Sequence, residues 1–215
     1  MEAHRHSGSS LAARDDAILD AVSEGLRRYG PRKLTAQDIA DTAGISRMTL
    51  YRAMGSMENA ILLALTREFS RAVDRLRAAL PDDVGAVRIA IFLGAGAHAF
   101  VESDLISSVV AQQPELVEPY LSGRLGCSQE IVLDAIEELL GEGFADGSIP
   151  DAAPGALTLL LLVRGVALGA PLMDPEEFAR SCSELTDTIA AAFGARPFGS
   201  HLFDDFLAAS ETPHP

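Results

Sequence analysis

The stretch TAQDIADTAGISRMTLYRAM, Thr35–Met54, holds two short helical patterns with a tight turn between them. Thr35 has the side chain to N-cap the first helix, and Asp38 puts an anion in its first turn, where the helix dipole favours one. Ile39 and Ala40 supply the inward face. Gly44 stands where the chain must turn, because glycine takes a left-handed conformation without steric cost. Ser46 then caps a second helix, whose apolar residues Leu50 and Met54 lie four apart on one face. Two short helices meeting at a glycine turn make a helix-turn-helix, and the second is shaped to enter a DNA major groove.

The outward positions of the second helix agree. Arg47, Thr49, Tyr51 and Arg52 all donate hydrogen bonds, and no acidic residue lies between Ser46 and Met57. A surface that meets a polyanion excludes carboxylates. The bland alternative is a helical hairpin with a solvated polar face.

The run Ile18–Ile61 resembles the N-terminal domain of TetR-type transcriptional regulators. The resemblance is carried by Ile18-Leu19, Gly30, Leu34-Thr35, Asp38-Ile39-Ala40, Ala43-Gly44-Ile45-Ser46, Thr49-Leu50-Tyr51, and Gly55-Ser56 with Glu58. It covers about a fifth of the chain, and the combination is far more specific than a generic helix-turn-helix.

Composition sets the class of the remainder. Hydrophobic residues make up 48% of the 215 and aromatics 6%, with no Trp. The apolar material is mostly Ala, Leu, Val and Ile, and no sustained period-two alternation appears, so the chain reads as all-α. The net charge of −14 is unevenly spread. Residues 1–80 hold 12 of the 17 Lys and Arg and 10 of the 31 Asp and Glu; residues 81–215 hold the other 5 and 21. A near-neutral DNA reader joined to an acidic body fits that asymmetry.

Two cysteines, Cys127 and Cys182, are too few for a disulfide framework or a zinc site and read as thiols in a reducing cytoplasm. The polar start, with His4, Arg5 and His6, is no signal peptide and reads as a disordered arm over residues 1–13. Residues 155–170 are apolar but shorter than the roughly 20 residues of a membrane span, and they contain Arg164. A cytoplasmic protein without membrane contact is therefore expected.

Taken in order, the spacing predicts a helix over about 14–29 with Ile18, Val22 and Leu26 buried, ended by Gly30-Pro31. Arg32 and Lys33 follow, open equally to a solvated turn or a phosphate contact. After residue 57 a long helix capped by Ser56 runs to about Leu80, some 36 Å. Its Arg67, Arg71, Arg75 and Arg77 read as a solvated face. Further helices are expected over about 84–100, 105–113, 115–124, 128–144, 155–170 and 175–193, with Leu202, Phe203, Phe206 and Leu207 docking as a last short piece. This divides the chain into an arm (1–13), a three-helix DNA-binding domain (14–57) and an effector-binding and dimerisation domain (58–215).

The resemblance implies roles residue by residue. Arg47 and Met48 match base-reading positions, Thr49 and Tyr51 match phosphate or base contacts, and Thr35 and Gln37 match contacts at the start of the preceding helix. Ser46 and Arg52 complete the DNA-facing set. Arg47 suits guanine and Gln37 adenine. Met57 stands where the family usually has a phosphate-contacting lysine, Met54 where it has an aromatic, and Ala53 where it has an aromatic or His. The family's pockets lie in the second domain, which here implies Phe92, Gly96, His98, Phe100, Phe144 and Arg164 around a small hydrophobic effector.

The helix over 155–170 is apolar nearly all round and needs a partner on its outer side. With the last helix it is expected to form a homodimer interface through Leu159, Leu162, Val163, Val166, Phe178, Cys182, Leu185 and Ile189, as the family's last two helices do.

No glycine-rich phosphate loop, nucleophile elbow or clustered His/Cys/Asp set appears, so no enzyme is expected. His98 and Glu102 have ligand spacing but no third partner, so neither metal nor cofactor is expected. The chain thus reads as a homodimeric, ligand-responsive repressor of a palindromic operator. A helical small-molecule binder with lost DNA binding is the rival, supported by Met57 alone. Arg47→Ala is expected to cost about 1–3 kcal/mol and relax base preference at one position per half-site. Affinities for a set of operator variants check this; equal discrimination before and after the change contradicts it.

Overall fold

The computed structural model describes residues 3–122, 125–194, 203 and 206–208. All the regular structure among them is helical: α1 (Ala3–Tyr29), α2 (Ala36–Thr42), α3 (Arg47–Met54), α4 (Met57–Ala79), α5 (Gly85–Val101), α6 (Asp104–Gln112), α7 (Pro114–Ser122), α8 (Cys127–Ala145), α9 (Ala156–Gly169), a 3-10 turn (Ala170–Leu172) and α10 (Pro175–Ala192). The chain separates into two compact units. One takes the described residues up to Glu68 and those from Ser103 to Gly126; the other runs from Phe69 to Glu102 and from Cys127 onward.

In the first unit, Ile18, Ala21, Val22 and Leu26 of α1 are buried with Ile39, Ala40, Leu50 and Met54. The helix begins at Ala3 rather than near Arg14, so most of the stretch expected as an arm is helical; Leu11-Ala12-Ala13 are good helix formers that join it to the amphipathic part. Arg67 on α4 reaches α1, where its guanidinium pairs with Asp20 at 2.7 Å and donates to the carbonyl of Asp16 at 2.9 Å. α6 and α7, expected in the second domain, belong to this unit instead. Arg32 Nε donates to the carbonyl of Gln112 at 2.7 Å, and the Gln112 side chain lies against Gly30. Apolar periodicity marks α6 as amphipathic but does not say which helix covers it.

In the second unit, α5 is central and carries Val87, Ile89, Ile91, Phe92 and Leu93 into one core with α8, α9 and α10. Val84 cannot cap α5, so the turn after α8 does: Gly85 N–H donates to Asp146 Oδ2 at 2.6 Å and Ala86 N–H to Ser148 Oγ at 3.0 Å. The Ser148 hydroxyl, then the Gly85 amide, hold the Asp146 carboxyl below the usual carboxylate range. Arg88 pairs with Glu142 at 2.5 Å, and Arg77 pairs with Glu138. Phe203 and Phe206 are buried in this core with Leu207 beside them; Leu202 lies outside the described residues.

Most of the expected dimer stripe lies within this packing. Leu159, Val163, Phe178, Cys182, Leu185 and Ile189 are buried in the chain's own core. The apolar face of α10 turns toward α5, and burial pushes the Cys182 thiol up to about 11. Of the eight residues only Leu162 is exposed, with Val166 half-buried. The exposed apolar side of α9 is instead Leu157, Leu161, Leu162 and Leu168, with Leu172 following in the 3-10 turn. Among the described residues no single helix is long and apolar enough to cross a membrane.

α5 and α10 approach closely at Gly94. A Cβ there would lie 2.0 Å from Thr186 Oγ1 and 2.8 Å from the Cys182 carbonyl oxygen. The Thr186 hydroxyl is buried and donates to that same carbonyl at 3.0 Å, so it cannot swing away without losing its bond. Gly94→Ala is expected to destabilise the protein by about 1–3 kcal/mol through overpacking. Gly141→Ala, at an exposed position of α8 where a Cβ meets nothing within 4 Å, is expected to stabilise it by about 0.5–1 kcal/mol. Denaturant unfolding of both variants measures the difference; equal stabilities contradict the close contact.

Candidate nucleic-acid interface

The site is built from local hydrogen bonds. Thr35 sits in extended backbone ahead of α2 and forms a reciprocal capping box with Asp38. Its Oγ1 accepts from Asp38 N–H at 3.2 Å, its N–H donates to Asp38 Oδ2 at 2.9 Å, and its hydroxyl donates to the same oxygen at 2.5 Å. These bonds, the hydroxyl first and the amide next, hold the Asp38 carboxyl below the usual carboxylate range. α2 closes with Ala43 N–H on the Ile39 carbonyl at 2.9 Å. Gly44 follows with φ +65°, and Ile45 N–H returns to the Ala40 carbonyl at 2.9 Å. A side chain at Gly44 would meet open space, so the constraint there is the left-handed backbone itself.

Ser46 caps α3: its Oγ accepts from Thr49 N–H at 3.1 Å and bonds the Thr49 hydroxyl at 2.9 Å. At the other end Asn59 Nδ2, from the first turn of α4, donates to the Met54 carbonyl at 2.7 Å, and Asn59 N–H donates to Ser56 Oγ at 3.0 Å. Both ends of the eight-residue α3 are thereby tied to neighbouring chain. Leu50 and Met54 point inward and are buried.

Turned the other way are Arg47, Met48, Tyr51 and Arg52, all exposed, with Thr49 half-buried. Met48 is 69% exposed and Tyr51 40%, large apolar surfaces facing outward from a helix with no acidic side chain. Thr35, Gln37 and Ser46 are exposed as well. The eight residues expected to meet DNA thus lie on α2, α3 and their caps, none of them buried. A face of this composition offers guanidinium and hydroxyl donors to phosphates and base edges, and apolar contact to a thymine methyl.

Three contacts at the site stand outside the sequence expectations. Gln37 Nε2 donates to Asp41 Oδ1 at 2.7 Å, a pair whose spacing of four along α2 was the available signal. Asn59 ties α3 to α4, with no sequence signal beyond its place after Ser56. Arg32 is bound to the Gln112 carbonyl, a partner 80 residues away that no local pattern reveals. On α4, Arg67 is paired with α1 and Arg77 with Glu138, in keeping with a face that does not serve DNA.

The residues expected around an effector are mostly on α5. Phe92 is buried; Gly96 is half-buried, with open space where a Cβ would be. His98 stacks on Phe178 with ring centres 6.2 Å apart, and Phe100 meets Phe69 at 5.7 Å. Arg164 on α9 is half-buried, and its buried Nε has no hydrogen-bond partner among the described residues. Phe144, at the end of α8, is 46% exposed, and Ile149 lies against Gly143 beside it. Among the described residues no group of three or more His, Cys, Asp or Glu side chains gathers to hold a metal ion.

An all-α chain presenting a capped helix-turn-helix with a cationic, carboxylate-free second helix has the form of a DNA-binding regulator. No protein-family model matches the chain. An uncharacterized HTH-type transcriptional regulator of Mycobacterium bovis is 30% identical over 182 residues, an alignment covering 80% of this chain and 90% of that one. Among solved structures, the TetR-family repressor QsdR of R. erythropolis superposes with a TM-score of 0.64 at 19% identity, over 86% of this chain and 96% of that one. The TetR-family repressor AlkX of a Dietzia strain, implicated in biodegradation of n-alkanes, gives 0.58 at 17% identity, over 83% and 94%. The chain belongs to the helix-turn-helix transcriptional regulators, and its fold is that of the TetR-family repressors. It is a DNA-binding regulator, not an enzyme.

The α2 cap has a signed pH dependence. A carboxyl lowered in the folded state contributes stability that is complete above its unfolded pKa and is lost as pH falls through the folded value. Wild-type protein is therefore expected to melt above Asp38→Asn at neutral pH, with the gap closing as pH falls below the ordinary carboxylate range. Thermal melts of both proteins from neutral to acid pH check this; a constant gap contradicts it.

Proposed function

We propose that this regulator acts as a homodimeric repressor that releases a pseudo-palindromic operator when a hydrophobic small molecule occupies its second unit. The observation that carries the DNA-facing part is the outward surface of α3, with Arg47, Met48, Tyr51 and Arg52 exposed and no carboxylate among them. Arg47 and Met48 read base edges, Gln37 reads a base from the first turn of α2, and Thr35, Ser46, Thr49, Tyr51 and Arg52 hold phosphates.

Dimerisation supplies the second half-site. The exposed apolar side of α9, Leu157, Leu161, Leu162 and Leu168, is a surface a soluble chain covers with a partner. A self-complementary pairing there sets two α3 helices about 34 Å apart, one turn of the duplex. The effector region is α5 around Gly96, His98 and Phe100, with Arg164 on α9; its apolar composition favours a hydrophobic ligand. The Dietzia relative's link to n-alkanes is in line with that chemistry. α4 gives Met57–Glu68 to one unit and Phe69–Ala79 to the other, so one continuous helix runs through both. The ligand's effect on DNA is limited to its differential affinity for the bound and released dimer shapes.

Leu161→Glu, at a side chain 51% exposed in the single chain, tests the assembly. Sedimentation and gel shift are expected to show a wild-type dimer on a two-half-site duplex and a folded variant that is monomeric and binds it weakly. A wild-type monomer with full operator affinity contradicts the dimer. An operator affinity unchanged by an n-alkane or fatty-acyl probe that binds the protein contradicts the release mechanism.

A further inference from the structure

We propose that Asp41 is a positioning residue for base recognition: by holding the Gln37 carboxamide it makes that side chain select adenine over guanine. The inference rests on the proposed placement of Gln37 at a base edge.

Gln37 lies in the first turn of α2 and Asp41 one turn later, both exposed, with Gln37 Nε2 donating to Asp41 Oδ1 at 2.7 Å. A carboxylate only accepts hydrogen bonds, so the nitrogen end of the carboxamide must face Asp41 and Oε1 must turn away. A free glutamine presents either end by rotating its last torsion. Gln37, so held, keeps one N–H and one acceptor oxygen for the duplex.

Adenine offers an acceptor at N7 and a donor at its amino group, and that pair is the complement of what Gln37 has left. Guanine offers two acceptors, N7 and O6, and needs two donors. One N–H of Gln37 is already on Asp41, so only one remains, and Oε1 would oppose a guanine acceptor.

The charge of Asp41 makes the arrangement informative. An exposed carboxylate on a DNA-facing helix opposes phosphate and weakens binding to every sequence. The other carboxylate of α2, Asp38, is engaged by the Thr35 cap. Asp41 caps neither end of α2; its described side-chain bond is the one it accepts from Gln37.

The test uses the full chain. Wild type and the variants Asp41→Ala, Asp41→Asn, Gln37→Ala and the double alanine variant each select from a random duplex library. Affinities for matched A·T and G·C duplexes then follow by fluorescence anisotropy. Wild type is expected to prefer adenine at one position per half-site, and Gln37→Ala to lose that preference. Asp41→Ala is expected to lower it about tenfold, within the worth of one bidentate pair, while strengthening binding to all sequences and leaving the Arg47-dependent position unchanged. A merely structural role would weaken both affinity and preference. Asp41→Asn, whose amide oxygen still accepts from Gln37, is expected to keep the preference, and Asp41→Ala to alter overall affinity but no base preference when Gln37 is already alanine. Full preference in Asp41→Ala beside its loss in Gln37→Ala overturns the proposal alone. Full preference in Gln37→Ala overturns it together with the base-edge placement. Wild-type protein with no sequence preference anywhere overturns both it and the proposed function.

Discussion

The turn at Gly44 is the constraint on which the DNA-facing surface depends. One residue in left-handed backbone lets Ile45 N–H reach back to the Ala40 carbonyl, and this bond fixes where α3 starts relative to α2. Every exposed side chain of α3 inherits its direction from that bond and from the Ser46 cap beyond it. The inward pair, Leu50 and Met54, then settles the rotation of the helix, because burying them leaves Arg47, Met48, Tyr51 and Arg52 outside. Asn59 completes the arrangement by holding the last turn, so α3 is fixed at both ends.

The second unit is organised by close approach. α5 touches α8, α9 and α10 and is buried along nearly its whole length, which its run of Ala, Gly, Ile, Leu and Val permits. Its amino terminus borrows a cap from Asp146 and Ser148, so a turn distant in sequence completes the helix. With α10 committed to covering α5, the apolar exposure that remains on these helices is chiefly that of α9 and the turn after it.

What was legible in the sequence was local. Thr35, Gly44 and Ser46 announce α2, the turn and α3, because caps and left-handed turns are decided within a few residues. The ends of α5, α6, α8, α9 and α10 fall within a residue or two of their expected places for the same reason. What was not legible was the partner of each apolar face. The stripe through Phe178, Cys182, Leu185 and Ile189 is as visible as any other, but a stripe does not say whether its cover is the same chain or a second copy. The same holds for the cover of α6, which turns toward α1 through a bond between Arg32 and Gln112, a pairing with no trace in local pattern. In the candidate site none of the eight expected residues is buried, while the acceptor that Gln37 meets on Asp41 is marked in the sequence by no more than a spacing of four.

The bond from Arg32 to the Gln112 carbonyl has a consequence beyond packing. A neutral carbonyl takes one N–H and none of the charge, so the outer nitrogens of the guanidinium stay available and the cation stays whole. A cation already held in one place gives up less side-chain freedom on meeting a phosphate than a loose one does. Each such meeting adds about 0.9 to the slope of log affinity against log salt, whether or not the side chain was tethered beforehand. Tethering therefore changes the strength of the contact while leaving its response to ionic strength as it was.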